Sequence, residues 1–377
     1  MRKKRDNQSI NTLIIIALLC LVVYVVFPKP PFSLDDFEKR AVWISYQDLN
    51  RLDYSSISAF EESFDEICKN SINNHCNTLI VHVRAFQDAM YKSDSFPMSK
   101  VIMGQEVAFD PLDIMISIAH KYELNFEAWI NPYRISLNSY TYNQFINNSP
   151  IRKWIRSDRI IHYGEYLYIL NPGNEESREY IISGVKEIVE KYDVDGIHFD
   201  DYFYVDGTYN NVSQKERLKN VNKLIKETYK TIKNIDKNIR FGISPQGNYE
   251  NCLIGGADVD TWLSEEGYID YLMPQIYWSN QYGDKGKTKL FSKRVKLWKS
   301  LKRNNSVDLY IGLALYQSGK NISIDQGWSL SSENINEQIE ILYDNDIKGY
   351  SLFHYTYLLE NNGMNEMENL FRNHYFE

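Results

Sequence analysis

The sequence predicts an α/β protein: a (β/α)8 TIM barrel with extended loops at its C-terminal face, preceded by one N-terminal transmembrane helix. Three observations predict it. From Arg40 onward, short β-branched or aromatic runs alternate with longer helical patterns, as βα units around a parallel sheet require. Eight such runs fall in roughly 340 residues, the strand number and length of a barrel with insertions. At the N-terminus, a cluster of basic residues precedes an almost uninterrupted apolar run.

Taken in order, Met1 to Arg5 reads MRKKR and Asn11 to Phe27 reads NTLIIIALLCLVVYVVF. Cationic side chains on one flank predict a basic tail over 1–10 that stays in the cytoplasm. The run 11–27 then serves as an uncleaved signal anchor, because bulky Val25, Val26 and Phe27 close it without the small residues that signal peptidase needs. Residues 28–38, with Pro28, Pro30 and Pro31, read as a linker that spaces the next domain from the bilayer. Residues 39–377 form the barrel domain, and the expected location is the cell membrane, single-pass, with that domain extracytoplasmic.

The eight predicted strands are 41–46, 78–84, 125–131, 196–201, 239–244, 271–278, 309–316 and 349–354. Helices are expected at 56–73, 111–122, 175–191, 213–235, 288–302 and 333–345, with a shorter one at 258–266. A doubly wound sheet is disfavoured, because no Gly-rich phosphate fingerprint follows the first strand. Two long connections, 132–174 and 245–257, leave the C-terminal face and are expected to wall the cleft.

Lys and Arg number 42 against 50 Asp and Glu, a formal net charge of -8, so the overall charge advertises no polyphosphate partner and nucleic acid is not an expected ligand. The 29 Tyr, 17 Phe and 7 Trp fill core and sheet first, yet flat rings beside hydroxyls also suit sugars. Four cysteines form no CxxC pair and no zinc spacing, so neither a metal nor a disulfide framework is expected.

Side chains alternate along a strand, so in Gly196-Ile197-His198-Phe199-Asp200-Asp201 the polar pair His198 and Asp200 share one face while Ile197 and Phe199 face the helices. Asp200 then reaches the barrel mouth and Asp201 begins the following loop. Neighbouring carboxylates repel, which raises the pKa of one and suits it to acid catalysis. Other strand ends contribute Trp43, Arg84 with Asp88, Asn131 with Arg134, and Gln275 with Tyr277 and Trp278.

The blocks AVWISYQDL, HVRAFQDAMY, AWINPYRIS, LNPGNEESREYI, YDVDGIHFDDYFY, FGISPQGNYEN and IDYLMPQIYW resemble, in order and spacing, the glycoside hydrolase-like 10 family of bacterial envelope proteins. The resemblance spans roughly residues 38 to 356. It implies a TIM-barrel glycosidase acting on polysaccharide outside the cytoplasmic membrane, with bacterial cell-wall glycan strands the leading substrate. By matching motif it implies a site of Asp200 and Asp201 with Arg84, Asp88, Asn131, Arg134, Gln275 and Tyr277. The chain departs from relatives at Gln246 to Glu250, where Phe-Gly-Ile-Trp-Arg is common, and an Arg is replaced by a carboxylate. The fourth-strand block is also similar to the chitinase signature DGxDxDxE, with Tyr202 in place of the acid Glu and His198 in place of an Asp.

Asp200 and Asp201 are thus the expected catalytic residues, with Asp201 ahead of Asp88 and Glu250 as the acid. Trp43, Arg84, Asp88, Asn131, Arg134, His198, Gln275, Tyr277 and Trp278 are the expected substrate contacts, and no cofactor or metal is called for. The rival from another class is a catalytically silent glycan-binding envelope module. A metal-dependent deacetylase lacks its usual ligands, since the 7 His do not cluster.

Overall fold

A computed structural model describes residues 32–201, 203–205 and 211–374. The expected tail, anchor and first part of the linker, and Tyr202, lie outside the described residues. No helix among the described residues is long and apolar enough to cross a membrane.

Strands β1 (Lys39–Ile44), β2 (Thr78–Arg84), β3 (Asn125–Ile130), β7 (Gly196–Asp200), β8 (Arg240–Ser244), β9 (Tyr271–Leu272), β10 (Asp308–Leu309), β11 (Ile311–Leu313) and β12 (Gly349–Leu352) form one parallel sheet, while β4 (Arg134–Ser136), β5 (Ile160–Tyr163) and β6 (Leu167–Leu170) form a separate antiparallel one. The large sheet runs β10-β9-β8-β7-β3-β2-β1-β12-β11. Its two end strands, β10 and β11, are separated in the chain by Tyr310 alone, whose N–H donates to Leu272 O. The sheet therefore curls round on itself as a barrel of eight strand positions, the seventh interrupted at Tyr310. Pro274 brings no N–H to the ladder, and the regular pairing of the sixth position stops just before it.

Helices α1 (Ile57–Asn73), α2 (Pro111–Lys121), α3 (Glu175–Lys191), α4 (Gln214–Ile235), α5 (Leu290–Ser300), α6 (Asn334–Asp344) and α7 (Asn361–His374) surround the barrel. The first six lie within two residues of the predicted bounds. Side-chain caps start four of them, with Ser56, Asp110, Asn174 and Ser213 accepting first-turn N–H groups. α7 was not anticipated. The 132–174 connection also holds unpredicted structure: the β4–β6 sheet and the helix Ser139–Asn148.

Apolar residues facing outward, such as Val42, Leu79, Phe126, Ile197, Phe241 and Leu313, meet the helices in the large core. A second, inner cluster of Ala41, Trp43, Ile80, Trp129, Tyr271, Met273 and Tyr310 fills the bore. Glycines make room for it. A Cβ at Gly242 would lie 1.9 Å from the Tyr271 ring, and one at Gly312 would lie 2.9 Å from Trp43. The described end of the expected linker is not a spacer: Phe32, Leu34 and Phe37 are buried, and Phe32 stacks on Tyr343 and His374 at 4.4 and 4.0 Å. Three apolar side chains in six residues anchor this segment to the barrel wall. Cys68, Cys76 and Cys252 are free and buried.

Because the bore has no slack beside Tyr271, Gly242→Ala is expected to lower the unfolding free energy by about 1 to 3 kcal/mol. Denaturant titration checks this, and unchanged stability would mean that the ring can leave its place over Gly242.

Candidate active site at the mouth of the barrel

The alternation along β7 is as the sequence predicts: Ile197 and Phe199 enter the helix-facing core, while His198 and Asp200 point into the barrel. Asp200, on the last turn of pleat, accepts from three donors. Asn131 Nδ2 reaches one oxygen at 2.8 Å; Gln275 Nε2 at 3.1 Å and the Asp201 N–H at 2.7 Å reach the other. The Asp201 carboxyl also hydrogen-bonds the Asp200 carboxyl.

Two touching carboxyls cannot both carry charge cheaply, and the surroundings decide which one does. Burial opposes the Asp200 charge, but the Asp201 hydrogen bonds, the Arg134 guanidinium and Asn131 outweigh it and hold its pKa below the usual carboxylate range. Burial and the Asp200 charge push Asp201 well above that range. The pair thus holds one proton, on Asp201. A hollow of about 350 Å³ opens beside it, lined by Asp201, Tyr204, Gln246, Asn251 and Gly255.

The donors are themselves held. His82 Nε2 lies 2.6 Å from Asn131 Oδ1, and its ring stacks on Trp129 at 3.7 Å. Since Asn131 turns its NH2 toward Asp200, its oxygen takes the His82 proton. Gln275 is steadied by the Ser244 carbonyl at 2.9 Å. Arg134 opens β4, gives Nε–H to Ala85 O at 2.7 Å and lies over Phe86 at 4.8 Å. The Tyr277 hydroxyl is buried without a hydrogen-bond partner among the described residues, and its pKa is raised by burial, then by Tyr316 and by the charges of Asp200 and Asp201.

Five expected contacts fall elsewhere. Trp43 is 1% exposed inside the bore, so it packs the barrel and offers no face to a sugar. His198 is fully buried one layer below Asp200. Its protonation follows from its neighbours. The Trp43 indole can only donate, so the His198 Nε2 that it meets at 3.3 Å carries no proton. Ser244 Oγ lies 2.9 Å from the same nitrogen, and the proton on Nδ1 faces Tyr271 Oη at 2.7 Å. Tyr271 donates its own O–H to Glu127, which Lys39 pairs from below. His198 is a neutral link in a buried column, with burial pushing its pKa down to about 4.

Arg84 is turned outward by a register shift between His82 and Arg84, which pairs it with the helix-facing Ile130. Its guanidinium lies 3.5 Å over Phe96, against Gly184 of α3. Asp88 sits in a separate cleft with Phe86, Lys100 and Phe145, where Ser99 binds it at 2.6 Å and burial raises its pKa to about 6. Trp278 meets Arg294 at 5.7 Å rather than the aspartate pair. Glu250, a rival for the acid, pairs with Arg294 at 3.3 Å and is 65% exposed. The sequence reading passed over His82, Ser244, Tyr271 and Glu127. Their signal was present in the inward-facing alternation of β2, β8, β9 and β3. Among the described residues, no group of three or more His, Cys, Asp or Glu gathers as a metal site requires.

The profile of the family described as glycosyl hydrolase-like 10 matches residues 38–216 and 209–330. The chain belongs to that family. It is 31% identical over 375 residues to glycosyl hydrolase YngK of Bacillus subtilis (strain 168), covering 86% of this chain and 71% of that protein. It is 27% identical over 392 residues to glycosyl hydrolase DigH of Escherichia coli (strain K12), covering 88% and 86%. In fold it is similar to the glycoside hydrolase domain of PgaB (BpsB) from Bordetella bronchiseptica, with a TM-score of 0.59, 9% identity and 88% and 98% coverage. An endo-1,4-beta-mannanase from Rhizomucor miehei gives a TM-score of 0.57 at 12% identity, covering 91% and 95%.

The neutral His198 gives the protein a pH dependence of definite sign. An unfolded histidine takes a proton near pH 6.5, whereas the folded one does so at about 4. Its contribution is complete above about pH 6.5 and is lost as pH falls toward 4, at up to about 1.4 kcal/mol per pH unit. Denaturant unfolding across this window is expected to show a slope about one proton shallower for His198→Gln; equal slopes would overturn the neutral assignment.

Proposed function

We propose that this protein is a glycoside hydrolase that cuts bacterial cell-wall glycan strands or a related polysaccharide outside the cytoplasmic membrane, held there by the 11–27 segment. The observation that carries the reading is the adjacent Asp200 and Asp201 carboxyls, with Asn131 and Gln275 converging on the first and an open hollow lined by the second. Family membership and the glycoside hydrolase fold support it.

In this reading Asp201 gives its proton to the glycosidic oxygen as that bond breaks, the Asp200 carboxylate faces the positive charge that develops at the anomeric carbon, and water then bonds to that carbon and returns a proton to Asp201. Asn131 and Gln275 keep Asp200 in place, and Arg134 keeps it ionised. The Tyr277 hydroxyl, without a partner among the described residues, is available to a substrate hydroxyl or carbonyl.

Touching carboxyls stand closer than the roughly 5 Å or more that separates a pair flanking the scissile bond from opposite faces. That contact favours a second reading, a glycan-binding module without turnover. The two part in one experiment, in which the full chain is incubated with purified glycan strands and the products are resolved by mass. Hydrolysis is expected. Asp200→Asn or Asp201→Asn should slow it by about 10²–10⁴. For Asp201→Asn, a substrate with an acidic aryl leaving group should recover much of the rate. Activity should require an ionised Asp200 and a protonated Asp201, so it falls at low pH through the first and at high pH through the second. Binding with no product at any pH would leave the module.

A further inference from the structure

Helix α4 carries Lys215, Lys219, Lys223, Lys226, Lys230 and Lys233. At 3.6 residues per turn and 1.5 Å per residue, all six project from an arc of about 80° along about 27 Å. The other face, with Val221, Leu224, Ile225, Thr228 and Ile232, is buried. Lys233 pairs with Asp270 at 2.8 Å; the other five are exposed and form no ion pair among the described residues.

Three of the nearby carboxylates already have other partners. Ser213 holds Glu216 at 2.8 Å, Arg178 holds Glu227 at 2.7 Å, and Asn222 and Thr261 hold Asp258 at 2.6 and 2.9 Å. Lysines on other helices do find carboxylates, as in Lys69 with Asp65 at 2.7 Å and Lys191 with Glu187 at 2.9 Å. Along the stripe runs a shallow, open groove of about 460 Å³ lined by Lys215, Lys219, Lys223, Lys226 and Tyr268, with one carboxylate, Asp258, held there by Asn222. The Lys226 ammonium lies 5.4 Å over the Tyr268 ring.

We propose that this stripe is a docking surface for a linear, base-free polymer of phosphate-bearing repeats. A single row of cations beside a groove matches a charged strand, which can lie in the groove where a flat surface cannot. Single-stranded nucleic acid relies on free aromatic faces for its bases, and the ring of this groove, Tyr268, is already covered by Lys226. The net charge of -8 does not decide the matter, because charges farther than the Debye length of about 10 Å are largely screened and a polyanion at the stripe meets chiefly the local lysines.

Long-chain inorganic polyphosphate, titrated against the full chain at several salt concentrations, tests this. Binding is expected to weaken linearly in log salt. The triple variant Lys219→Gln/Lys223→Gln/Lys226→Gln should lose at least tenfold in affinity at low salt, and its salt slope should fall by about 2. The triple Lys289→Gln/Lys293→Gln/Lys296→Gln, at and along α5, should change neither, with thermal unfolding confirming that both variants fold. Equal losses from both triples, absence of binding, or tighter binding of single-stranded DNA or anionic lipid vesicles at matched phosphate would overturn the proposal.

Discussion

The ion pair of Lys39 with Glu127, largely buried at the lower end of the bore, is the constraint from which the hydrogen-bonded column beneath the aspartates is built. Removing either partner would leave a largely buried charge without its counter-ion. Burial opposes the Glu127 charge, but the Lys39 charge together with the hydrogen bonds from Lys39 and Tyr271 holds its pKa below the usual range, and an ionised Glu127 can only accept. Tyr271 must therefore point its O–H down, His198 Nδ1–H donates to the Tyr271 oxygen, and Nε2 is left to accept from Trp43 and Ser244. Each direction of donation is dictated by the one below it. The column ends at Ser244, whose carbonyl steadies the glutamine that holds Asp200.

This construction explains how an aromatic-rich sequence folds into a barrel with so polar a bore. Tyr and Trp bring volume together with one polar atom each, so they fill space and pass hydrogen bonds at once. Glycines on neighbouring strands take up the excess volume. The aspartate pair then sits on a base that has one pattern of protons, and what distinguishes Asp200 from Asp201 is the set of donors that converge on the first and not on the second.

Most of the barrel was legible in the sequence because its strands obey simple alternation and its helices carry clear apolar faces with Ser, Asp or Asn at their starts. Asp200, Asp201, Asn131, Gln275 and the Arg134 charge come together where strand ends predicted. Trp43 was misplaced by depth, since alternation tells which face a side chain takes but not whether it lies at the rim; His198 lies one layer down, as its strand position implies, and there it is a hydrogen-bonded link and not a substrate contact. Arg84 was misplaced by parity, since a register shift leaves no mark in residue type. The β4–β6 sheet escaped notice because its strands are only three or four residues long and set among loops. The anchor over 11–27 rests on the sequence alone.

The register shift in β2 reaches further than the one arginine that it displaces. Two neighbouring basic groups leave the strand on opposite sides of the wall, His82 inward beneath the aspartates and Arg84 outward beneath Phe96. In strict alternation a residue two places after His82 would share its inner face; the one unmatched residue, Val83, is what lets Arg84 pair with Ile130 and turn to the helix side instead. A permanent cation is thereby kept away from the aspartates by pairing register, so the electrostatics of the cleft depend on how the strands are matched as well as on which residues they carry.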